Sequence, residues 1–193
     1  MNRRHLILSA AGAGLAATGL AAPRGALAAL TATDDELAYA SFGQAAELLL
    51  ADIYARLATA KLVSGAGARD VARAGFNATE HAAALAKLLT DAGQTAAVAG
   101  DFSFAWPDGT FATRKAATAA GLKITQPLLG VYLSAAGGIS IASYRTLFAS
   151  MAANVSQQVG ALSRLAGLRP VGVSFPPLTD VETASDAIEA YLG

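Results

Sequence analysis

The chain has 193 residues, just over half of them hydrophobic, with 14 basic and 14 acidic side chains and no cysteine. Lacking cysteine, it has neither a disulfide framework nor a lipid-anchored thiol, so burial alone must hold it together. No basic stripe of the kind nucleic acid requires is present, and the length suits one domain with a substantial core.

Residues 1–28 read as an export signal. Arg3 and Arg4 stand together in NRRHLIL, a small-residue apolar stretch runs from Leu6 to Ala22, and Ala26-Leu27-Ala28 forms a small-x-small cleavage pattern. This is the layout of a twin-arginine signal and predicts a mature domain of residues 29–193, delivered to the periplasm or the exterior. The apolar stretch is short and rich in Ala and Gly for a span of about 20 residues, so no stable membrane span is expected after cleavage. Removing Arg3, Arg4 and Arg24 leaves eleven basic against fourteen acidic side chains, a net charge near −3.

The first helix is expected from Asp34 to about Leu62, because Thr33-Asp34-Asp35-Glu36 reads as a capping box and Leu37, Phe42, Leu49, Leu50, Ile53 and Leu57 follow at helical spacing. Ser64-Gly65-Ala66-Gly67 is the break. A second helix is expected over 68–91, with Phe76, Leu85, Leu88 and Leu89 on its apolar side. Residues 93–110 form a long linker whose Phe102, Phe104 and Trp106 should lie dry across the helices. A third helix is expected over 111–135, kinked at Pro127. The fourth has a clean stripe of Ile141, Tyr144, Phe148, Met151, Val155, Val159, Leu162 and Leu165. Pro170, Pro176 and Pro177 keep the next segment extended, and Thr179 to Glu182 reads as a second capping box opening a short terminal helix. The fold class is therefore all-α: a four-helix bundle with one long crossover and a short C-terminal helix.

The charges are segregated. Residues 29–108 hold ten carboxylates, whereas the 71 residues from Gly109 to Thr179 hold none and no histidine. The strings AELLLADIY, HAAALAKLL, FAWPDGTF, GVYLSAA and FPPLTDVETASDAIEAYL, in this order and spacing, resemble the secreted ferritin-like domains related to desiccation-associated proteins. The resemblance runs from about Leu37 to Leu192 and implies the same bundle. It also implies a dimetal centre built from one Glu on each of two helices and an E-x-x-H pair on each of the other two.

Carried over residue by residue, that ligand set is mostly missing. Glu47 matches the first-helix carboxylate and His81 the second-helix histidine, but Ala78 stands where its glutamate partner belongs. The third-helix acid falls near Gln126 or Pro127, and the fourth-helix pair on Ser156 and Val159. No register shift supplies a carboxylate between Gly109 and Thr179, and a metal charge in a low-dielectric core needs anionic ligands. Glu47 and His81 each lie on an apolar helix face. They can form a buried hydrogen-bonded pair, joined by Gln44, Tyr54 or Gln126; they can hold a single metal completed by water; or they can be apart and separately solvated.

Nothing else carries chemistry. No glycine-rich phosphate loop follows a strand, and no nucleophile–histidine–acid set surrounds the one histidine of the mature chain. The reading is an exported, non-catalytic, metal-free ferritin-like protein with a structural or binding role and no cofactor. The alternative is a metal-binding oxidoreductase or stress-protection protein, with Fe, Mn or Zn at a reduced site around Glu47 and His81. The partner is an unidentified protein, a further copy of the chain, or a small molecule held in the space that Ala78, Ser156 and Gly160 leave.

Overall fold

Thr33 opens the first helix as its sequence requires. Its hydroxyl accepts the Glu36 N–H at 3.2 Å, and Glu36 Oε2 accepts the Thr33 N–H at 2.9 Å. In the computed structural model, which describes residues 32–193, the long helices are α1 (Asp34–Thr59), α2 (Gly65–Asp91), α3 (Arg114–Gly138) and α4 (Ala142–Leu165). A short helix α5 (Val181–Ile188) and a 3₁₀ turn, Glu189–Tyr191, close the chain. The signal assigned to residues 1–28 lies outside the described residues. No strand occurs among the described residues, and no helix there is long and apolar enough to cross a membrane.

The ends of several helices differ from expectation. α2 starts at Gly65, three residues early, and Gly67 sits in its first turn against the end of α4: a Cβ there would lie 2.8 Å from Leu165 Cδ2. α3 starts later than expected, because the Thr113 hydroxyl accepts the Ala116 N–H and so fixes Arg114 as the first helical residue. Phe111 belongs to the linker. α3 continues through Pro127 to Gly138. The terminal helix is capped by Asp180 in place of Thr179, since the Asp180 carboxylate accepts the Thr183 N–H at 2.7 Å.

Sequence neighbours α1/α2 and α3/α4 make the two extensive interfaces. α1 and α3 run antiparallel: Glu36 meets Ser140, Gly43 meets Tyr132, and Gly121 lies near Ile53. α2 and α4 are also antiparallel, with Asp70 paired to Arg164, but they touch less. The linker runs beside α1 in the same direction. Ala97 pairs with Gln44, Trp106 Nε1 donates to Asp52 at 2.7 Å, and the Arg56 guanidinium lies 5.8 Å from the Phe111 ring centroid. It thus carries the chain from the end of α2 along the bundle to the start of α3.

Within the linker Phe102, Phe104 and Trp106 are half-buried and pack against the core, while Ser103 and Ala105 between them face out. Trp106 meets Phe111 edge-on at 5.5 Å and Tyr191 at 5.2 Å between ring centroids, so the C-terminal turn is sealed by the same indole. The Tyr191 carbonyl accepts the Ala105 N–H. α5 fills the groove between α3 and α1.

One expected core contribution is absent. Phe76 is 56% exposed, because α2 turns Val71, Ala74, Ala78, Ala82 and Leu85 inward and leaves Phe76 under the Arg73 guanidinium at 5.6 Å. Leu168, Val171, Val173, Phe175 and Leu178 are also exposed, strung along the extended segment between α4 and α5.

Candidate functional site

Glu47 has no exposed surface, and it lies on the inner face of α1 among Gly43, Ala46 and Leu50. Gly43, one turn before it, makes the site possible. A Cβ at Gly43 would stand 2.9 Å from Tyr132 Cε1, so only glycine admits the Tyr132 ring beside α1. The ring placed there aims its hydroxyl at Glu47, donating to Oε1 at 3.0 Å. From α2, His81 Nδ1 lies 2.8 Å from the same Oε1, where an Nδ1–H tautomer or the imidazolium donates to the carboxylate. Glu47 Oε2 is buried with no hydrogen-bond partner. His81 itself is 16% exposed, so the cluster reaches the surface on its α2 side.

The electrostatics follow from this enclosure. Burial pushes the Glu47 carboxyl above the usual carboxylate range, opposed by the His81 hydrogen bond and charge and by the Tyr132 hydrogen bond. Burial and the Glu47 charge together push the Tyr132 and Tyr54 hydroxyls up, so both remain protonated donors.

The other residues expected to join the pair go elsewhere. Gln44 forms a closed pair of hydrogen bonds with the linker backbone, donating to the Ala97 carbonyl at 2.9 Å and accepting its N–H at 3.0 Å. Its function is to pin the crossover. The Tyr54 hydroxyl donates to Gln158 Oε1 at 2.8 Å, and Gln158 Nε2 donates to Asn154 Oδ1 at 2.9 Å. Gln126 faces solvent, because α3 turns Ile124, Thr125, Leu128 and Leu129 inward around it.

Two participants were not among the sequence candidates. Tyr132 stands seven residues after Thr125 on the inner face of α3, and Gln158 interrupts the apolar stripe of α4. A polar residue at a core position is the available signal for both; nothing local says that Tyr132 reaches Glu47 or Tyr54 reaches Gln158. The fourth-helix register also shifts by one. Ser156 faces solvent, while Val155 and Gln158 take the inward positions.

A ferritin-type dimetal centre does not fit these residues. Hard cations require several anionic oxygens at one place. Among the described residues Glu47 is the only fully enclosed carboxylate, and its Oε1 is already engaged by two donors. Across the core stand Ala78, Thr125, Tyr132, Val155 and Gln158. No group of three or more His, Cys, Asp or Glu side chains able to share a cation occurs among the described residues. The arrangement suits a hydrogen-bonded polar core in which a carboxyl and a phenol are held apart from bulk water and a partly exposed imidazole closes the α2 side.

No family model matches the chain, and no curated protein is similar enough to it to count as a relative.

Proposed function

We propose that this chain is an exported ferritin-like four-helix bundle without the dimetal chemistry, acting through structural or binding interactions. Support for the ferritin-like reading comes from the antiparallel order of the helices and from a crossover that runs beside α1 from Gln44 to Arg56. The observation that carries the metal-free reading is the Glu47 cluster, in which His81 and Tyr132 both engage Oε1 of the carboxylate and, among the described residues, no second carboxylate faces it. Mature protein produced with iron, manganese and zinc in the medium should carry less than about one tenth of an equivalent of Fe or Mn. Stoichiometric loading by elemental analysis would overturn this reading.

The unpartnered Glu47 Oε2 favours a second reading, in which a metal-binding redox or stress-protection protein keeps a reduced site at Glu47 and His81. Added Zn²⁺ or Mn²⁺ should then raise the melting temperature of the wild type and leave that of Glu47→Gln unchanged. No metal response in either protein removes this alternative.

Export rests on Arg3 and Arg4. Replacing both with lysine should retain the protein inside the cell, as judged by fractionation and N-terminal sequencing. Continued export of the double variant, with Met1 as the N-terminus, would refute the assignment.

A further inference from the structure

Where α2 and α4 diverge they leave an open cleft of about 330 Å³, within the range of about 300–1,000 Å³ that small-ligand sites occupy. Arg73 and Asn77 form its α2 wall, and Asn154, Gln157 and Gln158 its α4 wall. Gly160 and Ala161 keep the α4 side low. The Arg164–Asp70 ion pair sits on the rim, and Pro170 leans over, its carbonyl 3.1 Å from where a Gly160 Cβ would be.

The hydrogen-bond inventory defines what this cleft offers. Gln158, 4% exposed, spends its carbonyl on Tyr54 and one amide hydrogen on Asn154. Asn154 spends its carbonyl on Gln158. What remains on these two side chains is the second Gln158 hydrogen, both hydrogens of Asn154 and one lone pair on each carbonyl oxygen, three donors against two acceptor positions. The Tyr54 bond holds Gln158 in that orientation from below. Arg164 is neutralised by Asp70, whereas no ion pair among the described residues includes Arg73. The Arg73 guanidinium is held on its own wall by the Phe76 ring. The cleft therefore presents one uncompensated cation, a donor-rich floor, and the carboxamides of Asn77 and Gln157, which can both give and accept.

We propose that the α2–α4 cleft binds a small hydroxylated organic anion, a monocarboxylate of sugar-acid size. Arg73 takes the carboxylate, and the carboxamides of Asn77, Asn154 and Gln157 take the hydroxyls. A single planar guanidinium matches the two oxygens of one carboxylate, whereas a dianionic phosphate would meet one free cation and the nearby Asp70. Carboxamides pair with hydroxyls because each side can donate and accept. The site lies apart from the Glu47 cluster and stands whether or not a metal binds there.

Mature protein titrated with D-gluconate, followed by the side-chain amide signals in ¹H–¹⁵N spectra and by calorimetry, tests this. D-glucose serves as the neutral probe and inorganic phosphate as the plain anion. Gluconate should shift the Asn77, Asn154 and Gln157 signals saturably, with glucose and phosphate each about tenfold weaker. Arg73 is exposed, so Arg73→Gln should fold normally and bind gluconate about tenfold more weakly; Asn77→Ala should cost a few-fold. No saturable shift up to about 50 mM gluconate overturns the proposal. So does phosphate binding as tightly as gluconate, or an unchanged affinity in Arg73→Gln.

Discussion

Glu47 and the partly exposed His81 meet as a hydrogen-bonded pair, with Tyr132 as a second donor to the buried carboxyl. His81→Leu leaves Tyr132 as the only donor to a carboxyl that cannot reach water, so we expect a loss of about 1–3 kcal/mol. Glu47→Leu strands the Tyr132 hydroxyl and should cost a similar amount. The double change should be milder than the sum, since fewer orphaned groups remain. A double-mutant cycle by denaturant melting measures this; strictly additive singles would mean that the pair carries no coupling. The raised Glu47 carboxyl adds a pH dependence. A group that binds its proton more tightly when folded contributes stability that is full below its unfolded value of 4.5 and is lost as pH rises through the folded value. Wild type should therefore lose ground to Glu47→Gln as pH climbs from about 4.5 toward neutrality. A stability difference independent of pH would contradict burial as the cause.

At the scale of elements, glycines decide where segments can dock. Gly130 on α3 faces the segment leading into α5. A Cβ there would collide with Thr179 and come within 2.8 Å of the Pro177 carbonyl. Ser134, one turn on, donates to the Thr179 carbonyl at 3.0 Å and holds the same strap. Gly130→Ala should thus destabilise by about 1–3 kcal/mol, although alanine is the better helix former. Gly137→Ala, in the same helix with nothing within 4 Å of its new methyl, should stabilise by about 0.5–1 kcal/mol. Thermal melting of the two variants checks the contrast, and equal shifts of the same sign would mean that the strap yields. The helices themselves were legible because their caps and apolar spacing are local. The Thr33–Glu36 box and the stripe through Phe148, Met151, Val155 and Leu162 fall where the sequence puts them. Asp180 takes the capping role that the sequence pattern assigns to Thr179, whose carbonyl accepts from Ser134 on α3.

Over the whole molecule, apolar surface is distributed unevenly. The bundle encloses its aliphatic side chains, yet Val171 and Phe175 stand 84% and 91% exposed on the strap. Since they bury almost nothing, Val171→Ser combined with Phe175→Ser should change stability by no more than about 0.5 kcal/mol. A larger loss in denaturant melts would mean that these side chains are covered in solution, for instance by a second copy of the chain.

Sequence alone determined the all-α class, the number of long helices, the crossover, and the poverty of ligands, because periodicity, caps and residue counts need no knowledge of neighbours. It also singled out Glu47 and His81, since the ferritin-like ligand pattern, carried over residue by residue, falls on them and both lie on apolar helix faces. Which polar groups share a site was decided only by tertiary structure. Gln44 and Gln126 were candidates and Tyr132 and Gln158 were not, yet a rotation of one residue about a helix axis, roughly 100°, separates core from solvent. That rotation is fixed by contacts between helices, such as the Tyr132 ring seated on Gly43 and Leu162 against Gly121. So is the cleft beside Arg73, which exists because α2 and α4 diverge and not because of any pattern within either.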